Sequence, residues 1–390
     1  MPKQYFYLIP GFFGFANLGE LKYFVHVRDM LVDTCSTRGV AAQVVVVKTH
    51  PTASLTRRAA CLIETIAATQ GHTKSEAHII GHSSGGLDAR LATAPGVLLP
   101  TACDIEPVAR SIRTVVTVAT PHRGTPLAAL FTSLLGQRLL YVLSLSTIYM
   151  LRVGRLPISI LLEIAGFFAR VNDSAHNRTL LDEVFARLLA DFSIRRRQAV
   201  QRLFAEVAKD QALLLQLTPE AMAVFNSLVR NRPGTRYGSV ITCSRPPGFL
   251  SALRAGIDPS AQATHAIYQA LYRFAEQSPR SQMAKINDAQ KRVIRRAYGG
   301  LPSLAANDGV IPTRSQVWGD VIEAVRADHL DVIGHFADPE RAPPHIDWLT
   351  TGSGFTRTQF ERLWRHVLGY IVGTGAESLL PAGKQGGIRR

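Results

Sequence analysis

Cysteine is scarce in this chain. Four stand in 390 residues, Cys35, Cys61, Cys103 and Cys243, widely spaced and with no CxxC pair. That spacing argues against a structural zinc site and leaves disulfide pairing open. Acidic residues are the minority, 29 Asp and Glu against 44 Lys and Arg, for a net charge of +15. The basic clusters Arg195-Arg196-Arg197 and Arg295-Arg296 are short and carry no interleaved aromatics, which argues against nucleic acid as a partner. The surplus fits either an Arg-rich solvated surface or attraction to anionic membrane or lipid surfaces. No apolar run of bilayer length stands out. Residues 139–151 and 156–169 are each shorter than the roughly 20 residues a helix needs to cross, and Glu163 interrupts the second. No secretory signal precedes residues 4–10, which already read as a core strand, so the expectation is a cytoplasmic enzyme, or a secreted one whose leader was removed.

What is present is enough apolar sequence to bury a sizeable core: 46% hydrophobic against 19% charged. Residues 5–10, 42–48, 77–83 and 114–119 are largely apolar runs, most of them rich in Val and Ile, as expected of strands buried on both faces. Helical patterns at 21–38 and 54–69 separate them, and Ala59, Leu62, Ile63 and Ile66 fall on one face. This alternation predicts a parallel sheet. From about 127 to 232 it gives way to long helical patterns that include the two apolar runs. These read as helices of a cap or lid. Simple buried helices and a mobile lid that meets a lipid surface are both open, because periodicity does not separate them. A strand pattern returns at 237–243, followed by helical sequence that includes 284–298, a short strand at 324–327 and a last helix at 358–371. Phe360, Leu363, Trp364, Val367, Leu368 and Ile371 form one stripe of that helix. The expected organisation is a mostly parallel α/β core in two parts, 1–126 and 236–372, with a helical insertion at 127–235 and a flexible tail at 373–390.

The most informative stretch is Gly81-His82-Ser83-Ser84-Gly85. A β-prone run, a G-x-S-x-G turn and small residues entering a helix form the signature of a nucleophile elbow. The glycines two before and two after Ser83 remove the Cβ atoms that would clash in so sharp a turn. A serine hydroxyl needs a base to take its proton and a carboxylate to orient that base. In α/β-hydrolases these follow in the order Ser, Asp or Glu, His. Asp308, in the turn-forming Asn307-Asp308-Gly309, and His329, just after the 324–327 strand pattern, both suit loops at the carboxyl end of a sheet. His335, His345 and His265 are the rival histidines, His335 foremost because it lies in the same loop. His122 reads as a structural residue beneath the site and His82 as a side chain flanking the elbow.

Five motifs follow one another in this chain: Tyr7-Leu8-Ile9-Pro10-Gly11-Phe12, Gly81-His82-Ser83-Ser84-Gly85-Gly86, Ala119-Thr120-Pro121-His122-Arg123-Gly124, Asn307-Asp308-Gly309 and Asp328-His329-Leu330-Asp331. Together they resemble the bacterial true lipases, the secreted triacylglycerol lipases of Pseudomonas and Burkholderia, over roughly half of the chain. The resemblance implies an α/β-hydrolase fold with a large helical lid insertion. It implies Ser83 as nucleophile, His329 as general base and acid, and Asp308 as its orienting partner. The backbone N–H groups of Phe12 and Ser84 become the oxyanion donors. Phe12, Phe13 and Phe15 read as core side chains, with Phe13 and Phe15 also open as walls of an acyl pocket. Pro10 stands where the family usually has histidine. The family also binds a structural calcium; Asp331 matches one of its carboxylate ligands, and Asp258 and Asp288 are the candidates for a second. One aspartate alone does not make a site for a hard cation, and the chemistry requires no cofactor. The implied activity is cleavage of lipophilic carboxylic esters, with lipid or another hydrophobic ester as the partner molecule. The Pro-Gly-Phe segment also looks like that of lecithin:cholesterol-type acyltransferases, so an acyltransferase, or a noncatalytic lipid-binding protein on the same fold, stays open beside it.

Overall fold

The computed structural model describes residues 4–12, 23–24, 26–37, 39–70, 75–153, 156–169, 174–254, 256–279, 283–338 and 349–373. Phe13, Phe15, His345 and the tail after Gly373 lie outside these described residues.

Six strands make one parallel sheet: β1 (Gln4–Ile9), β2 (Ala42–Val46), β3 (Glu76–His82), β4 (Ile112–Val118), β5 (Arg236–Thr242) and β6 (Asp320–Val325), in the order β2-β1-β3-β4-β5-β6. A parallel neighbour cannot be reached by a tight hairpin, so helices carry every crossover. They are α1 (Val27–Thr37), α2 (Leu55–Gln70), and α3 (Gly85–Thr93) with α4 (Ile105–Ser111). Between β4 and β5 lie α5 (Pro126–Thr132), α6 (Leu134–Val153), α7 (Ile158–Ala169), α8 (Ser174–Ala190), α9 (Ile194–Lys209), α10 (Ala212–Gln216) and α11 (Pro219–Leu228). Between β5 and β6 are α12 (Phe249–Arg254), α13 (Pro259–Ala275) and α14 (Asp288–Tyr298), and α15 (Arg357–Val372) closes the described chain.

Side-chain alternation along the strands sorts the core into two layers. Phe6, Leu8, Ile80, Val116, Val118 and Val240 face Leu31 of α1 and the Phe360, Trp364 and Val367 stripe of α15. Tyr5, Tyr7, Ile9, Ile79 and Val115 face Leu62, Ile63 and Ile66 of α2 and Leu87 of α3. The second layer runs on without a break into the inserted helices through Leu139, Leu143, Ile164, Phe167 and Leu188. Most apolar side chains of α6 and α7 are therefore core, whereas Ile158 and Leu162 of α7 are exposed. Among the described residues no single helix is long and apolar enough to cross a membrane; α5 and the first part of α6, bent by 106°, meet that test only as a pair.

Three elements depart from their expected bounds for physical reasons. The pattern at 324–327 catches only the end of β6, which begins at Asp320. Its acidic residues hide it: Glu323 pairs with His366, and Asp320 accepts from Tyr370 (3.0 Å), both partners on α15. The helix expected from 284 starts at Asp288, where Asn287 and Gln290 form a reciprocal capping box. The helix expected at 21–38 begins, as described, at Val27.

Candidate active site

In this strand order the chain leaves β1 toward β2 on one side and β3 toward β4 on the other. A crevice therefore opens at the carboxyl ends of β1 and β3. Pro10-Gly11-Phe12 leaves β1 there, and Ser83-Ser84 leaves β3. Ser83 has φ 54°, a left-handed conformation rare for a residue with a side chain, costing on the order of 1–3 kcal/mol. Its N–H donates to the Val118 carbonyl (2.9 Å), which fixes the turn against β4. The elbow closes only because its glycines lack Cβ atoms. One on Gly81 would lie 2.4 Å from the Gly85 carbonyl oxygen, and one on Gly85 would lie 2.3 Å from that of Ile9. A Cβ on Gly11 would come within 2.4 Å of Ser83 Cβ and 3.0 Å of its Oγ. The loop after β1 thus presses directly on Ser83.

His329 and Asp308 reach the same point from the far end of the chain. His329 Nε2 is 3.1 Å from Ser83 Oγ, and His329 Nδ1 is 2.9 Å from Asp308 Oδ2. The three side chains are buried. The Asp308 carboxylate is saturated by donors. Oδ1 accepts from the N–H groups of Val310 (3.0 Å) and Ile311 (2.7 Å), and Oδ2 from Thr242 Oγ1 (2.7 Å) and Gln316 Nε2 (3.2 Å) as well as His329. A carboxylate so placed accepts only, so His329 carries its proton on Nδ1 and turns the lone pair of Nε2 toward the serine hydroxyl. The backbone is tied too, with His329 N–H donating to the Asp308 carbonyl (3.1 Å). Chemically, the arrangement can draw a proton from Ser83 Oγ and return it to a leaving group on the same face.

The rival histidines are engaged elsewhere. His335 Nε2 lies 2.9 Å from the Tyr23 carbonyl. His265 bridges Ser251 and the Thr350 carbonyl. His122 is buried between Thr117 Oγ1 (3.0 Å) and Arg90 (3.2 Å), and burial followed by the charges of Arg90 and Arg123 holds it well below the usual imidazole range. His82 contacts Tyr23 and the His329 backbone.

Sequence reasoning missed the groups that hold these side chains. Arg58 of α2 and Asp88 of α3 form a fully buried ion pair, with Nε and Nη2 at 2.9 and 2.6 Å from Asp88 Oδ2. Arg58 Nη2 also donates to the Pro10 carbonyl (2.9 Å) and Nη1 to that of His50 (2.8 Å), pinning the loop after β1. A signal existed: Arg58 sits three residues after Leu55 and four before Leu62, on the apolar stripe of its helix. Thr242 and Gln316, which hold Asp308, had no such signal.

The calcium implied by the resemblance needs several oxygens. Asp258 instead caps α13 through Ala261 N–H (3.1 Å), and Asp288 pairs with Lys291 (2.8 Å). The neighbouring carboxylate is Asp328, buried like Asp331. Asp331 Oδ2 accepts from Asp328 N–H (2.9 Å) and Ser353 Oγ (2.8 Å), while its Oδ1 is buried without a hydrogen-bond partner. Burial, then the charge of Asp308, pushes Asp328 up to about 7; burial and the charge of Asp328 push Asp331 well above the carboxylate range. Among the described residues no group of three or more His, Cys, Asp or Glu could share a metal ion. Asp258 and Asp288 therefore do not complete a cradle, and neither does the buried Asp328–Asp331 pair, whose other oxygens accept from backbone N–H groups, Thr351 and Ser353.

The parallel six-strand sheet, with helices on both faces and more helices inserted after β4, defines an α/β fold of the kind found in bacterial lipases. The chain is similar to the lipase of Staphylococcus hyicus, at 15% identity with a TM-score of 0.51 and 96% of each chain covered. It is similar also to lipase 1 of Pelosinus fermentans, at 15% identity and a TM-score of 0.50, over 94% of this chain and 99% of that one. At such identity the likeness is one of fold. No protein-family profile and no curated protein sequence matches the chain.

Proposed function

We propose that this chain is a serine hydrolase that cleaves carboxylic esters of lipophilic substrates through an acyl-enzyme on Ser83. One observation carries the reading: Ser83 meets His329 at 3.1 Å across 246 residues of sequence, and His329 meets Asp308 at 2.9 Å, in a single proton order. His329 Nε2 takes the proton as Ser83 Oγ attacks the ester carbonyl, and Asp308 stabilises the imidazolium that results. The alkoxide develops toward the backbone N–H groups of Phe12 and Ser84, each worth on the order of 3 kcal/mol if aimed at it. His329 then returns the proton to the leaving alcohol, and water, activated in the same way, releases the acid. The order of motifs that resembles the bacterial true lipases supports this reading, as does a fold shared with lipases.

Within this reading the helices of the insertion serve as a lid over the acyl chain and as a transient contact with a lipid surface, the exposed Ile158 and Leu162 on α7 supporting that role. The test is hydrolysis of a p-nitrophenyl ester series from acetate to palmitate, with wild type set against Ser83→Ala. Turnover that rises with chain length and vanishes in the variant is expected. Turnover that survives in Ser83→Ala refutes the assignment. Product analysis with added alcohol separates hydrolysis from acyl transfer to an alcohol acceptor.

A further inference from the structure

The loop after β1 and the loop that carries His329 are joined by a buried chain of hydrogen bonds that runs through two residues with no assigned role. Gly11 N–H donates to the Tyr23 hydroxyl at 3.0 Å, and the same hydroxyl lies 2.7 Å from His82 Nδ1. An amide only donates, so the hydroxyl accepts from Gly11 and directs its one proton at His82. Nδ1 of His82 is then an acceptor, the ring proton resides on Nε2, and Nε2 donates to the His329 carbonyl at 2.8 Å. Every direction in the chain is forced. Tyr23 is gripped a second time, because His335 Nε2 reaches its carbonyl at 2.9 Å, and His335 N–H donates to the Leu330 carbonyl within the His329 loop (3.3 Å).

We propose that Tyr23 and His82 are positioning residues that tie the oxyanion segment at Gly11–Phe12 to the backbone of His329 through one fixed order of protons, with His335 as the anchor of Tyr23. The inference rests on the reading of Ser83, His329 and Phe12 as the reacting groups. Burial, then the neighbouring His329, holds His82 well below the usual imidazole range, so its ring stays neutral and keeps a single proton. That matters because the two rings lie 4.7 Å apart. A neutral His82 leaves room for His329 to become cationic, where a second imidazolium would oppose it. The chain also accounts for the histidine within the elbow motif and for the rival in the His329 loop, neither of which reaches the serine.

The experiment uses the full chain, with nitrogen NMR of the His82 ring read beside kinetics on p-nitrophenyl butyrate. The wild type is expected to show one neutral tautomer, protonated on Nε2, and Tyr23→Phe to mix the two. Tyr23→Phe, checked for folding by circular dichroism, is expected to lower kcat about tenfold and leave KM within about twofold. His82→Gln keeps a donor for the His329 carbonyl but breaks the link to Tyr23, so the double variant should cost no more than the worse single. A wild-type proton on Nδ1, an unchanged kcat in Tyr23→Phe, or losses that multiply in the double variant would overturn the proposal. The tautomer reading needs no turnover: an inactive wild type with His82 protonated on Nε2 would refute the esterase reading and keep the link.

Discussion

The buried pair Arg58–Asp88 gives the sharpest energetic expectation. Neither side chain is exposed at all, and the guanidinium makes three contacts of 2.6–3.0 Å with the carboxylate. Asp88→Asn preserves shape and removes the charge, leaving a buried cation whose remaining partners are the carbonyls of His50, Pro51 and Pro10. Breaking a buried pair from one side costs about 3–5 kcal/mol, a large part of the about 5–15 kcal/mol that holds a typical domain together. Replacing both partners with apolar residues, Arg58→Met with Asp88→Leu, removes the uncompensated charge. It also strips the carbonyls of His50, Pro51 and Pro10 of their donor, at about 1–3 kcal/mol for each one left unsatisfied, so the double variant should lose as much stability as Asp88→Asn or more. Urea unfolding followed by circular dichroism measures both. A loss below about 1 kcal/mol in Asp88→Asn would mean that water reaches this pair, and the argument from burial would fail.

Gly11→Ala places a Cβ against Ser83, so ester turnover should fall at least about 100-fold while the fold is kept, because the loop after β1, proposed to donate to the oxyanion, must move away; activity within about threefold of wild type would contradict the close approach of loop and serine. The acidic pair sets a pH dependence. A carboxyl whose folded value is raised favours the folded state most below its unfolded value of about 4, and that contribution is lost as pH rises through about 7 for Asp328. Stability measured by urea unfolding should therefore fall as pH rises from about 4 through about 7, and Asp328→Asn should remove part of that fall; the same slope in wild type and variant would contradict it.

Much of this molecule was legible in the chain because the parallel strands are buried on both faces and read as plain apolar runs. β6 was legible only at its end, since Asp320 and Glu323 look outward to α15 and break the pattern. Ser83, Asp308 and His329 were singled out by turn chemistry and chain order, which are local properties. What supports them is not local. Thr242 and Gln316 meet Asp308 from different elements, and Tyr23 meets His82 59 residues away. Nothing in the neighbourhood of Thr242 or Tyr23 marks them before the sheet is assembled. The inserted helices posed a different problem: periodicity separated neither core from lid, and burial answers only the first half, with most of α6 and α7 packed and Leu162 left at the surface.

The central claim is that Ser83 is the nucleophile and His329 its base. The most direct measurement is reaction of the intact protein with a fluorophosphonate ester, followed by mass spectrometry of its peptides. The account predicts one adduct, on the peptide that carries Ser83, which forms far more slowly in His329→Ala and not at all in Ser83→Ala. Labelling at another residue, or equal labelling of wild type and His329→Ala, would contradict it.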